Sequence, residues 1–286
     1  MKGIVLAGGS GTRLHPLTLA TSKQLMPVYD KPMIYYPLST LMLAGITDIL
    51  VITTPHEQEQ FKRLLGDGSQ WGVRLSFETQ AKPEGLAQAI LIAEEFLDQD
   101  PFALILGDNI FYGEGMGTAL SRMSGRPGAT VFAYEVRNPQ NYGVIEFGPD
   151  GRAVAIVEKP ESPKSDFAVP GLYFYDQQAI GLAKSLKPSK RGELEITDLH
   201  RLYLEQGLLN VEVLDKSKTW LDTGTLESLF LAADGVRSIE QSIGKKINVP
   251  EEVAWRLGLI DDRKLTEEAA KYGKSGYGSY LTSLLG

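Results

Sequence analysis

Gly3-Ile4-Val5-Leu6-Ala7-Gly8-Gly9-Ser10-Gly11-Thr12-Arg13 is the stretch on which the architecture turns. An unbroken apolar, β-type run gives way to glycines and then to an arginine. A strand with no polar alternation is buried on both faces, as in a parallel sheet covered by helices. Glycines after such a strand let the backbone turn tightly and approach a ligand closely. Successive free N–H groups can then cradle phosphate oxygens, and Arg13 adds a forked cation. Two familiar loops do not match. A dinucleotide fingerprint starting at Gly9 needs glycine or alanine at position 14, which is Leu14. The P-loop needs Gly-Lys-Ser/Thr at the end of the loop, where this sequence has Gly11-Thr12-Arg13. Taken alone, the loop is equally a tight strand-to-helix turn with a solvated arginine.

Outward from this loop, further apolar strands alternate with helical patterns. Met33–Ala44, His56–Leu65 and Leu86–Phe96 read as helices, and Asp48–Thr53, Val73–Glu78 and Phe102–Leu106 as strands. The middle of the chain is β-rich, with strand-like runs at Thr130–Val136, Gly143–Phe147, Val154–Glu158 and Ala168–Tyr175. Helical patterns return at Gln177–Lys184 and Thr197–Gln206, and the tail from Leu226 to Leu285 is almost wholly helical.

The 286 residues carry 29 Lys+Arg against 36 Asp+Glu, a formal net charge of -7. This acidic balance argues against a general nucleic-acid or anionic-membrane binder. It leaves room for a small phosphate ligand held by local cations. Cys is 0, which excludes disulfides, zinc-thiolate sites and a cysteine nucleophile. Met1–Leu6 is too short for a signal peptide, and Ile34–Ile46 is too short and polar to span a bilayer. The chain therefore reads as cytoplasmic. His15, His56 and His200 lack metal-ligand spacing, and no Ser-His-Asp arrangement can be argued.

Asp108 directly follows the apolar run Phe102–Leu106 and Gly107. Ligands of open parallel sheets bind beyond the carboxyl ends of strands, and a carboxylate there can hold a hard divalent cation. Asn109 could donate to a sugar or phosphate oxygen. Asp222, in Trp220-Leu221-Asp222-Thr223-Gly224-Thr225, is explained adequately by a helix start capped at Thr223 or Thr225. As a pair, the two aspartates could hold one Mg²⁺ together with substrate phosphates. Asp98-Gln99-Asp100 precedes its strand rather than following it, and reads as a solvated turn. In Glu158-Lys159-Pro160, the proline is expected to keep Lys159 extended and projecting from the strand end. Lys23, Gln24, Tyr142, Gly143 and Arg191 are further candidates, each explicable singly as a surface residue.

Together these segments resemble the sugar nucleotidyltransferases, in the short dTDP-glucose pyrophosphorylase type. The resemblance rests on Gly8–Leu14, Lys23–Met33, Gly85–Ala89, Leu106–Gly113, Tyr142–Val144, Val157–Pro160, Gly192–Asp198, Trp220–Thr225 and Glu251–Arg256, in order along almost the whole chain. It implies a Rossmann-like, mixed, mainly parallel α/β sheet with helices on both faces, a β-rich sugar-binding insertion and a helical tail. It implies a core over 1–225, divided near 130 into nucleotide and sugar-phosphate parts, and a C-terminal region over 226–286 for assembly and regulation. The reaction implied is thymidylyl transfer from dTTP to α-D-glucose 1-phosphate, releasing pyrophosphate by direct in-line attack. Carried onto this sequence, Leu6, Gly8, Gly9, Gly11, Thr12, Arg13, Lys23, Gln24, Gln80, Gly85 and Asp108 surround the nucleotide. Asn109, Tyr142, Gly143, Glu158, Lys159, Val169 and Arg191 line the sugar-phosphate side. Asp108 and Asp222 bind Mg²⁺, while Arg13, Lys23 and Lys159 act with them in catalysis. A homotetramer is implied, with Glu252 and Arg256 in a regulatory site. UTP- or ATP-dependent transfer and a non-catalytic nucleotide-sugar sensor are the alternatives.

Overall fold

The structure, a computed structural model, describes residues 1–9 and 11–286; Ser10 of the glycine-rich loop lies outside the described residues. The chain opens with β1 (Lys2–Ala7), and a short hairpin of β2 (Pro27–Val28) and β3 (Lys31–Pro32) leads into α1 (Tyr35–Leu43). There follow β4 (Asp48–Thr53), α2 (Gln58–Leu65), β5 (Arg74–Thr79), α3 (Gln88–Ile92), α4 (Glu94–Leu97) and β6 (Phe102–Leu106). Next come β7 (Asn109–Gly113), α5 (Met116–Ser121), β8 (Ala129–Glu135), β9 (Gly143–Phe147), β10 (Ala153–Glu158), β11 (Phe167–Ala168) and β12 (Leu172–Tyr175). Helices α6 (Gln178–Ser185) and α7 (Ile196–Glu205) precede β13 (Leu209–Val213) and β14 (Lys218–Asp222). The tail is α8 (Leu226–Ile243), α9 (Pro250–Arg256), α10 (Asp262–Lys271) and α11 (Gly276–Ser283).

The main sheet runs β10-β9-β11-β8-β12-β6-β1-β4-β5, with β13 pairing β8. Its β5-β4-β1-β6 half is parallel. The β-rich middle extends the same sheet through antiparallel pairs. Along β1 the faces alternate. Ile4 and Leu6 join one buried cluster with α3, α6 and α7, whereas Val5 and Ala7 join the other with α1 and the last three helices. Both faces are thus covered, which is why the strands read as continuously apolar.

Three expected elements break where the sequence pattern runs on. The Leu86–Phe96 pattern is two short helices meeting at Ala93. The run Ala168–Tyr175 is two strands, because the N–H of Val169 turns to the Gly143 carbonyl (2.8 Å) and that of Gly171 to the Asn109 side chain (2.9 Å). Lys159 is not extended: its φ is +41°, in the left-handed region. Its N–H still closes the β9–β10 ladder on the Tyr142 carbonyl at 3.0 Å, so the chain must turn sharply before Pro160. A non-glycine residue held there stores strain, as is common where a side chain is aimed at a ligand.

The long α8 is tied to the β2–β3 hairpin by a buried ionic knot. Lys31, 3% exposed, donates to Asp30 (2.6 Å), Glu240 (3.0 Å) and the Tyr36 hydroxyl (3.3 Å). Lys246 approaches the same two acids, and the Ile247 N–H donates to Glu240 at 3.0 Å. Among the described residues, no helix is long and apolar enough to cross a membrane.

Candidate active site

β1 and β6 are adjacent and in register, Leu6 beside Leu106, so the glycine loop and Asp108 leave the sheet side by side. The Gly107 N–H donates to the Leu6 carbonyl at 2.9 Å, which holds the two exits together. Asp222 arrives by a different device. β14 pairs antiparallel with β7, placing Asp222 opposite Asn109. Thr223 then donates its hydroxyl (2.7 Å) and its N–H (3.2 Å) to the Asp108 carbonyl. This two-stranded ladder was not legible in the sequence, although the β-forming residues Ile110-Phe111-Tyr112 and Thr219-Trp220-Leu221 were a usable signal. The cap of α8 is Thr225, in a reciprocal capping box with Ser228. Helix capping is therefore not what Asp222 is for.

These residues open onto one cleft of about 960 Å³. Leu6, Gly8, Gly9, Gly11, Thr12, Arg13, Lys23, Gln24, Gln80, Gly85 and Asp108 line it. Asn109, Tyr142, Gly143, Glu158, Lys159, Val169, Arg191 and Asp222 line it as well. Glycine is required at Gly11 in the loop, where φ is +58°, and at Gly85 between β5 and α3. Gly85 has φ +110°, and a Cβ on it would lie 2.3 Å from the Leu194 carbonyl oxygen. Gln80 donates to Gln88 (2.6 Å) and Gly85 (3.2 Å), and Ser22 donates to Gln24 Oε1 (2.8 Å), so both amides are oriented. Glu252 and Arg256 lie elsewhere, on α9, where Arg256 donates to Glu252 at 2.7 Å and Tyr280 donates to its other oxygen at 2.5 Å.

The two aspartates are electrostatically opposed. Burial acts to raise the Asp108 carboxyl, but the charge of Lys23 and hydrogen bonds from Lys23 and Asn109 outweigh it and hold it below the usual carboxylate range. Asp222 is held above that range, by burial first and then by the negative charge of Asp108, against the weaker pull of Lys23, Gly224 and Arg13. Two mutually repelling carboxylates at the head of a cleft form a donor set suited to a divalent cation. Among the described residues, no cluster of three or more His, Cys, Asp or Glu is assembled for a metal. Mg²⁺ ordinarily takes one or two carboxylates plus phosphate oxygens, so the pair fits it without a third acid.

Sequence reasoning missed several supporting groups. Thr197 donates to Glu158 at 2.6 Å, fixing that carboxylate. Arg191 is held in a fork by Glu195 (3.1 and 2.8 Å) and by Glu193 (3.1 Å), which raises its already high pKa. The Trp220 ring packs edge-on against Tyr142, with centroids 5.1 Å apart.

His200 forms part of the floor. It is fully buried, its Nε2 lies 2.6 Å from the Tyr175 hydroxyl, and its Nδ1 has no hydrogen-bond partner among the described residues. Burial pushes its pKa down to about 3. The unfolded chain takes up this proton near pH 6.5 and the folded chain does not. Stability is therefore complete above about pH 6.5 and is lost as pH falls towards 3. Urea titrations should show His200 costing about 2 kcal/mol between pH 7 and pH 5. His200→Gln, which has no proton to gain, should flatten that decline by a similar amount. An equal decline in both proteins would exclude the linkage.

A family model described as Nucleotidyl transferase matches residues 2–238. The chain belongs to this family. It is 60% identical over 285 residues to the glucose-1-phosphate thymidylyltransferase of Mycolicibacterium smegmatis, covering 100% of this chain and 99% of the relative. It is 58% identical to the enzyme of the same name from Neisseria meningitidis serogroup A, again over 100% and 99%. Among solved structures, a Bacillus anthracis protein in complex with a sucrose matches with a TM-score of 0.77 and 40% identity, covering 83% of this chain and 95% of that one. UDP-glucose pyrophosphorylase complexed with UDP-glucose matches with a TM-score of 0.71 and 25% identity, covering 83% and 98%.

Proposed function

We propose that the protein transfers a thymidylyl group from dTTP to α-D-glucose 1-phosphate, yielding dTDP-glucose and pyrophosphate. The observation that carries this reading is the meeting of Arg13, Lys23 and Lys159 with Asp108 and Asp222 in one cleft. Three cations and a carboxylate pair suit a reaction between two polyanions. A sugar-phosphate oxygen attacks the α-phosphorus, the bond to the bridging oxygen breaks, and pyrophosphate leaves with that electron pair. No protein nucleophile is required. Catalysis is then positioning plus neutralisation of charge.

The glycine loop with Arg13 and Lys23 is assigned to the triphosphate, and Gln24, Gln80 and Gly85 to the base and its sugar. Lys159, projected by its left-handed backbone, is assigned to the attacking phosphate. Glu158 and Val169 face the glucose hydroxyls, and Arg191, held by acids on its far side, completes that wall. Asp108 and Asp222 would hold Mg²⁺, which would supply positive charge to offset that of the phosphates. We assign residues 1–225 to the catalytic core and 226–286 to assembly as a homotetramer, with Glu252 and Arg256 contributing to an effector site.

Purified protein given dTTP, glucose 1-phosphate and Mg²⁺ should release pyrophosphate and form dTDP-glucose. The same assay with UTP and ATP should be slower. Faster turnover with either would transfer the assignment to that nucleotide, and no pyrophosphate with any of them would refute it.

A further inference from the structure

Asn109 follows Asp108 at the start of β7, and its partners fix which way its amide points. Its oxygen accepts from the Trp220 indole N–H (2.7 Å) and the Gly171 N–H (2.9 Å). Its nitrogen donates to Asp108 Oδ1 at 2.9 Å, while Lys23 donates to Asp108 Oδ2. Asn109 is 3% exposed and Trp220 8%, so none of this competes freely with water. The Trp220 ring is itself set by Tyr142 (5.1 Å) and Tyr134 (5.8 Å), both edge-on.

We infer that the Trp220 indole N–H is a positioning group for the metal-binding carboxylate, acting through Asn109. This rests on the reading of Asp108 as a divalent-cation ligand. The two N–H donors polarise the Asn109 amide and lock its nitrogen towards Oδ1 of Asp108. That bond opposes rotation of the carboxylate fully onto Lys23, which would offer an incoming cation an occupied ligand. The aromatic wall of the sugar side is in this way joined to the metal side by two consecutive hydrogen bonds. Loss of a ligand's supporting hydrogen bond ordinarily weakens metal binding about 10–100-fold. Trp220 is one bond further out and Gly171 remains, so a smaller loss is expected.

The test is Mn²⁺ binding to the protein with dTTP and without sugar phosphate, read by electron paramagnetic resonance. No turnover enters this readout. Trp220→Phe keeps the ring face and removes only the N–H. It should weaken dTTP-dependent Mn²⁺ binding by about 3–10-fold. Asn109→Ala should weaken it at least as much, and the double variant no more than Asn109→Ala alone, because both act through one chain of contacts. Wild-type affinity in Trp220→Phe, or losses that multiply in the double variant, would reduce Trp220 to a wall and overturn the inference. Where Trp220→Phe does not fold, unchanged binding in Asn109→Ala overturns it equally. A wild-type protein with no dTTP-dependent Mn²⁺ site would instead remove the metal reading, and this inference with it.

Discussion

Asp222→Asn is expected to lower turnover by about 10²–10³-fold at saturating dTTP and glucose 1-phosphate, which corresponds to about 3–4 kcal/mol of transition-state stabilisation. The substitution keeps the shape and removes a charge. Asp222 is held above the ordinary carboxylate range by burial and by Asp108, so its ionised form is disfavoured in the ligand-free fold. The neutral amide relieves that repulsion. The variant should therefore melt at the same temperature as the parent or higher while it loses activity, a trade expected where a site is built for its ligand rather than for stability. Adding Mg²⁺ with dTTP should raise the melting temperature of the parent more than that of the variant. Undiminished turnover in Asp222→Asn would remove the metal assignment, and a large fall in melting temperature would make the residue structural.

Lys31→Ala is expected to destabilise the protein by about 3–5 kcal/mol, because it strands the buried Glu240 and the half-buried Asp30 with Lys246 as their remaining cation. The penalty comes from uncompensated charge more than from the lost attraction. The paired variant Lys31→Met with Glu240→Gln should accordingly cost less than Lys31→Ala alone, since the amide oxygen can still accept from the Ile247 N–H. Denaturant unfolding of the three proteins decides this. A single variant within about 1 kcal/mol of the parent would show that water relieves the knot, and the tie between α8 and the hairpin would be weak.

The glycine loop was readable because its information is local. A continuous apolar strand, glycines and an arginine within eleven consecutive positions define a tight bend wherever the chain goes next. Asp108 was readable for a similar reason: it ends an apolar strand, and strand ends of parallel sheets open onto clefts. Asp222 was half legible. Its neighbours fit a helix start equally well, and nothing near it in the chain points to a partner 114 residues away, 222 less 108. The β7–β14 ladder brings them together, and a two-stranded pairing across that separation leaves little trace in periodicity.

Composition, periodicity and short motifs were sufficient for the alternating α/β plan, the glycine-rich bend and the helical tail, while the residues that share the cleft were named together only by the family resemblance. Such properties follow from residue type and near neighbours, whose geometry the backbone imposes within a few bonds. The left-handed turn at Lys159, the opposed states of Asp108 and Asp222, the buried neutral His200 and the Trp220–Asn109–Asp108 chain belong to the folded molecule. Each depends on distant segments excluding water from the same small volume, where charges and hydrogen bonds acquire strengths that they do not have along the open chain.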